Sequence, residues 1–173
     1  PGLLRIARAD RALSDRLDQE QVKRDLARIE DEGAVEAAVS EVSPRAIQRG
    51  LAQLGTLGGG NHFVEIQRVE RIEDGAAAGA LGLREGQAVV MIHSGSRGLG
   101  YQVADEHMKT ALAAAPRHGL FVPNRQLAFI PADAPEGRSY LGAMGAAANY
   151  AFANRQAMAA AQSPRWWPAC RSW

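Results

Sequence analysis

Two histidines carry the first chemical signal in this chain. His62 closes the run Leu54-Gly55-Thr56-Leu57-Gly58-Gly59-Gly60-Asn61, and His93 opens onto Ser94-Gly95-Ser96-Arg97-Gly98-Leu99-Gly100. An imidazole suits borderline transition metals. Glycines let the backbone pass close to a ligand, and their free N–H groups can point at phosphate oxygens. Asn61 can donate to or accept from a nucleotide without adding charge. In the second run, Ser94 and Ser96 add hydroxyl donors, and Arg97 adds a planar fork that matches phosphate. A loop feeding a helix N-terminus also favours anions through unpaired N–H groups and the helix dipole. Neither run is a Walker A loop or a dinucleotide fingerprint, because no Gly-Lys-Ser/Thr ends it and the glycine spacing differs. The indicated chemistry is phosphate with a transition metal. The bland alternatives are a tight turn with a hydrogen-bonded His62, and a glycine-rich connection with a surface Arg97.

His62 and His93 lie 31 residues apart. Two adjacent strands could bring them to one point. Two imidazoles make half a metal site at best; carboxylate, thiolate, water or a further His must complete it. Cys170 sits in a segment of different composition and is not expected to ligate. His107 is expected on a helix face and His118 in a loop.

The elements that must position these loops follow from periodicity. Residues 3–32 read as a solvated amphipathic helix, with Leu13, Leu17, Val22, Leu26 and Ile29 near the helical period and Gly33 as its stop. Ser43-Pro44 reads as an N-cap and first helical residue, opening a short helix to Arg49 that ends at Gly50. Phe63–Val69 reads as a strand with Val64 and Ile66 on one face and Phe63 and Glu65 on the other. Residues 70–86 read as a polar connection. Ala88–Ile92 is a continuous apolar run expected to be a buried strand that delivers His93. A helix is predicted over Tyr101–Ala115, stopped by Pro116. Residues 117–137 read as irregular, with a small strand at Phe129-Ile130. The alanine-rich stretch Arg138–Gln162 predicts a long helix. Ser163–Trp173 holds all three Trp and the only Cys, and its composition breaks from what precedes it.

The chain has 173 residues, 46% hydrophobic and 23% charged. These values suit one globular domain with a core and exclude disorder from composition. A formal net charge of +1 gives no global basic field, so an RNA partner needs a local cluster. One cysteine cannot form an internal disulfide, which suits a reducing, cytoplasmic compartment. No signal peptide or membrane-spanning run is expected.

Three segments resemble one family. Gln53-Leu-Gly-Thr-Leu-Gly-Gly-Gly-Asn-His-Phe-Val-Glu65 is similar to the signature loop of the RtcB RNA ligases. His93-Ser-Gly-Ser-Arg-Gly-Leu-Gly100 resembles their second signature. Ala143-Met-Gly-Ala-Ala-Ala-Asn-Tyr-Ala-Phe-Ala-Asn-Arg-Gln156 resembles a third. The resemblance implies an α+β, RtcB-like fold whose strands carry the two glycine-rich loops among packed helices. It implies joining of RNA 2′,3′-cyclic phosphate or 3′-phosphate ends to 5′-hydroxyl ends, in tRNA splicing and RNA repair. GTP guanylylates a histidine, GMP passes to the RNA 3′-phosphate, and the 5′-hydroxyl displaces it.

By the same resemblance, His62 and His93 each ligate one of two manganese ions. Asn61, His62, Phe63, Val64 and Glu65 contact GTP, and Arg97 contacts an RNA phosphate. Asn149 and Arg155 match the third motif without an assigned role. The partners implied are RNA (tRNA halves or broken RNA) and GTP, with room for a protein activator and no membrane. The family's Asp and Cys metal ligands have no counterpart upstream here. Its third metal His, guanylylated His and late nucleotide-binding Lys have none downstream; neither His107 nor His118 has the nucleophile's context. Residues 1–162 are therefore expected to be the central part of a catalytic domain, inactive alone. Residues 163–173 are expected to be an anomalous tail, as a frameshifted or truncated reading frame would produce. The rival readings are a metal-dependent phosphohydrolase using the same loops, and a non-catalytic remnant that binds nucleotide or RNA.

Overall fold

The computed structural model describes residues 30–170, together with Glu20, Lys23, Arg24 and Ala27, and side chains as far as Ala159. The helix expected over residues 3–32 lies almost wholly outside the described residues. Gly33, its expected stop, has a left-handed φ of 75° at the end of a 3₁₀ turn, Glu30–Gly33.

Helix α1 spans Pro44–Leu51, and the Ser43 hydroxyl accepts from the Ala46 amide at 3.1 Å. The cap and the proline act as their types predict. Gly50, expected to end the helix, lies inside it. A Cβ at this position would sit 2.9 Å from Leu99 Cδ1 and 3.3 Å from the Tyr150 ring. The glycine serves helix packing rather than termination.

Strands β1 (Phe63–Arg68) and β2 (Ala88–His93) form an antiparallel pair in the register Phe63↔His93 through Arg68↔Ala88. Both strands were legible, but the expected burial of β2 is not found. Burial of a strand requires a covering layer on each face. In this two-stranded sheet Ile66, Val90 and Met91 are about half exposed.

The connection between the strands contains a helix the composition concealed, α2 (Gly75–Leu81). Asp74 caps it by accepting from the Ala76 and Ala77 amides at 2.8 and 2.9 Å, and Gly82 ends it at φ 69°. Two strong terminal signals outweigh the two glycines that the helix contains.

Helix α3 spans Arg97–Ala114 and so begins four residues before Tyr101. Pro116 tightens the helical path rather than stopping it: Ala115–His118 continues as a 3₁₀ turn, and Gly119 ends it with φ 68°. A proline early in a new turn has no intrahelical N–H to lose. Phe129-Ile130 forms no strand; the segment holds only a 3₁₀ turn at Arg125–Leu127. Helix α4 spans Pro135–Cys170, starting three residues early on a proline suited to a first turn.

The core lies where α1, α3 and α4 meet: Val42, Ala46, Leu99, Val103, Ala143 and Ala147, with Ala146 and Tyr150 against it. Small residues on α4 let another segment lie directly on it. A Cβ at Gly142 would meet Ala38, and one at Gly145 would overlap the Glu36 carbonyl oxygen. The Ala38 amide donates to the Gly142 carbonyl at 3.0 Å. The architecture is mixed helix with a small antiparallel sheet, compatible with α+β. No helix of the described residues is long and apolar enough to cross a membrane.

Candidate functional site

The hairpin register decides where the histidines fall. Phe63 pairs with His93, so His62 stands one residue outside that pair. The imidazole centroids are 6.3 Å apart and tilted by 45°, and the Phe63 ring meets His93 edge-on at 5.0 Å. His62 is half-buried and His93 exposed. With metal–nitrogen bonds of about 2.1 Å, two rings on one tetrahedral ion would have centroids roughly 5 Å apart.

Arg97 joins this pair from the first residue of α3. Its Nε donates to Thr56 Oγ1 at 3.3 Å, and its Nη1 lies 3.3 Å from His62 Nδ1. Arg97 has a left-handed φ of 53°, rare for a non-glycine residue. Such conformations cost on the order of 1–3 kcal/mol and persist where the surroundings over-determine them. Gly58, at φ 100°, makes the approach possible, because a Cβ there would overlap both Arg97 Nη1 and His62 Nδ1.

The helix N-terminus itself is less open than expected. The Gly98 amide already donates to Gln53 Oε1 at 2.7 Å. Ser94, expected to offer a hydroxyl to phosphate, is turned inward and 6% exposed. Its Oγ donates to the Leu57 carbonyl at 2.8 Å. The segment Asn61–Glu65 does not present one surface. Phe63 and Glu65 share the His93 side of the sheet, whereas Val64 is on the other side with Ile66. Glu65 accepts from Gln67 Nε2 at 2.7 Å.

Helix α4 holds both loops from beneath. Asn154 is fully buried. Its Oδ1 accepts from the amides of Gly55 and Thr56 at 2.7 and 3.2 Å. Its Nδ2 lies 3.2 Å from the Thr56 carbonyl, Ser94 Oγ and the Gly95 carbonyl. Next to it, Arg155 Nη1 donates to the Ser94 carbonyl at 3.0 Å. Asn149 has a different task. It brackets Val35, accepting from its amide at 3.0 Å and donating to its carbonyl at 2.9 Å. Sequence reasoning marked Asn149 and Arg155 but passed over Asn154, although an amide in an alanine-rich helix is a signal of a buried partner.

The described residues furnish two imidazoles toward a metal and no group of three His, Cys, Asp or Glu. The two rings fit half of a centre, and the remaining donors must come from elsewhere. His107 packs on Tyr140 at 5.6 Å, and His118 lies 3.4 Å from Glu136. Backbone hydrogen bonding at the start of α4 is the main cause that lowers the Glu136 pKa, with His118 and Arg117 helping. Burial raises the Tyr150 phenol above its ordinary 10.0, with Arg97 opposing. Tyr150 donates to the Gly50 carbonyl at 2.7 Å and so holds α1 on α4.

A family model described as tRNA-splicing ligase RtcB matches residues 6–165. The RNA-splicing ligase RtcB of Mycobacterium tuberculosis is 53% identical over 133 residues, covering 76% of this chain and 31% of that protein. The tRNA-splicing ligase RtcB of Pyrococcus furiosus is 51% identical over 135 residues, 78% of this chain and 14% of that protein. That of Archaeoglobus fulgidus is 48% identical over 138 residues, 79% and 29%. The chain spans less than a third of the length of these relatives.

Proposed function

The chain belongs to the RtcB family, and from that membership we propose that it supplies part of the metal and nucleotide site of an RNA ligase. The reaction joins a 2′,3′-cyclic phosphate or 3′-phosphate RNA end to a 5′-hydroxyl end, in tRNA splicing and RNA repair. GTP provides the GMP that first modifies a histidine and then activates the RNA phosphate. That histidine has no counterpart among His62, His93, His107 and His118. Residues 1–162 form the central part of the catalytic domain. The loops borne by the hairpin and α3 are its contribution to the RtcB fold's active centre.

The observation that carries this reading is the convergence of His62, His93 and Arg97, two metal-type donors beside a phosphate-type donor. His62 and His93 would each hold one manganese ion, with further donors from outside the described residues. Bound manganese would supply charge neutralisation at the entering and leaving oxygens. Asn61, Phe63 and Glu65 line the approach for GTP, with Val64 acting through its backbone. Arg97 is the donor for an RNA phosphate.

His62 sets a condition on Arg97. An imidazole that ligates through Nε2 carries its proton on Nδ1, which would then face a guanidinium that can only donate. If it ligates through Nδ1, the guanidinium stands in the ion's place. Either way, the Arg97 contact and a metal ion on His62 would exclude one another, and an Arg97 released from the ring would have its fork open to an anion.

Incubation of the 173-residue chain with labelled GTP and manganese is expected to leave no stable protein–GMP adduct. A histidine-linked adduct would show that the nucleophile lies within this chain and would overturn the assignment. The phosphohydrolase alternative requires manganese-dependent hydrolysis without GTP, which this site is expected not to give.

A further inference from the structure

Asn154 has no exposed surface. An amide buried so deeply carries a desolvation cost unless its hydrogen bonds are made. All the partners of its side chain lie on the two loops, at Gly55, Thr56, Ser94 and Gly95. An alanine-rich helix could be packed there by an apolar residue, so the amide's use lies in the loops it holds.

Thr56 is gripped at both its amide and its carbonyl, the first by Asn154 Oδ1 and the second by Nδ2. That grip holds the Thr56 backbone, and donation from Oγ1 to the Gln53 carbonyl at 2.6 Å orients the hydroxyl upon it. The hydroxyl accepts from Arg97 Nε at 3.3 Å, and the same guanidinium places Nη1 3.3 Å from His62 Nδ1. A continuous hydrogen-bonded path therefore runs from the buried amide on α4 to the imidazole at the mouth of the hairpin.

We propose that Asn154 is a positioning residue for the metal-free His62 ring, acting through Thr56 to hold the Arg97 guanidinium at Nδ1, the contact that a metal ion on this ring would have to displace. The functional meaning of this relay rests on the reading of His62 as a metal ligand. Its physical content does not, so the two can fail separately. Arg97 donating to Nδ1 keeps the neutral ring's proton on Nε2. Loss of Asn154 loosens Thr56, then Arg97, and lets the ring change tautomer.

The test is nitrogen NMR of the histidines in the 173-residue chain, near pH 8 and so above the ordinary imidazole range. Arg97→Ala defines the His62 ring shifts without the donor. Asn154→Asp keeps the size and the acceptors for Gly55 and Thr56 but loses the donors to the Thr56 carbonyl, Ser94 Oγ and the Gly95 carbonyl. Thr56→Val removes the hydroxyl on an exposed residue, and with it both the Arg97 contact and the donation to the Gln53 carbonyl. Both variants are expected to move the His62 nitrogens most of the way to the Arg97→Ala values.

A purely structural Asn154 would lower the melting temperature and leave the His62 shifts as in the parent chain; that result overturns the proposal. So does an Arg97→Ala chain whose His62 is unmoved. If Asn154→Asp does not fold, Thr56→Val decides, and an unmoved His62 there overturns the relay. Manganese added to the parent chain reports separately: no effect on His62 would contradict the metal reading and leave the relay standing.

Discussion

The hairpin and the helical body are built on opposite terms. Where α1, α3 and α4 meet, Ala46 and Ala143 have no exposed surface and glycines stand in for side chains that would collide. In the hairpin, Ile66 is 57% exposed and Val90 48%. The histidines sit at the seam between the two, and that end of the hairpin is tied to the body. Asn154 and Arg155 bond across the seam to the two loops. At the opposite end the bonds are local, such as Arg71 to Glu73 and the Ile72 amide to Glu85. Hydrogen bonds between hairpin and body are therefore concentrated at the end that carries His62, His93 and Arg97.

Deleting apolar bulk in each region sharpens the contrast most strongly. Leu99→Ala, in the core, is expected to cost about 2–5 kcal/mol in urea unfolding. Ile66→Ala, on the exposed sheet, should change stability by less than about 0.5 kcal/mol. Equal costs would mean that the hairpin is buried in solution and would break the comparison.

A smaller effect separates two glycines of one loop. Gly58→Ala meets both a left-handed φ and an overlap with Arg97 and His62, whereas a Cβ at Gly59 meets nothing within 4 Å. The first is expected to destabilise by about 1–2 kcal/mol, and the second to leave stability unchanged or raise it by a few tenths of a kcal/mol. The same thermal unfolding series checks both.

Capping gives the next comparison. Ser43→Ala should cost about 1 kcal/mol of global stability, because α1 is part of the core. Asp74→Ala should instead speed amide exchange locally in α2, on the hairpin side, with little change in the global transition. The smallest expected effect is on pH. Tyr150 has a raised pKa in the fold, so the unfolded chain ionises first as pH rises past 10.0. The stabilising difference is present below that pH and lost above it. Tyr150→Phe should flatten that alkaline fall in melting temperature.

Much of this was legible in residue order. The period-two alternation of Phe63–Arg68 and the apolar run of Ala88–Ile92 identify both strands, and three motifs identify the family. The burial of a strand depends on layers that no local pattern encodes, so β2 was misjudged. The start of α3 was hidden because Gly98 and Gly100 read as loop. Yet Gly98 serves a contact: a Cβ there would press on Gln53 Oε1 at 2.8 Å. Asn154 was missed because its partners lie 59 to 99 residues away, beyond any helical or strand period. His62 and His93 needed only the register of two strands, a short inference from sequence.

The central claim is that His62 and His93 serve one cluster of divalent cations. Substoichiometric manganese added to the 173-residue chain tests it through paramagnetic broadening of histidine ring protons. Both rings are expected to broaden together, well before His107 and His118, and His93→Ala should weaken the effect at His62. Broadening confined to one ring, or spread evenly over all four histidines, would contradict the account.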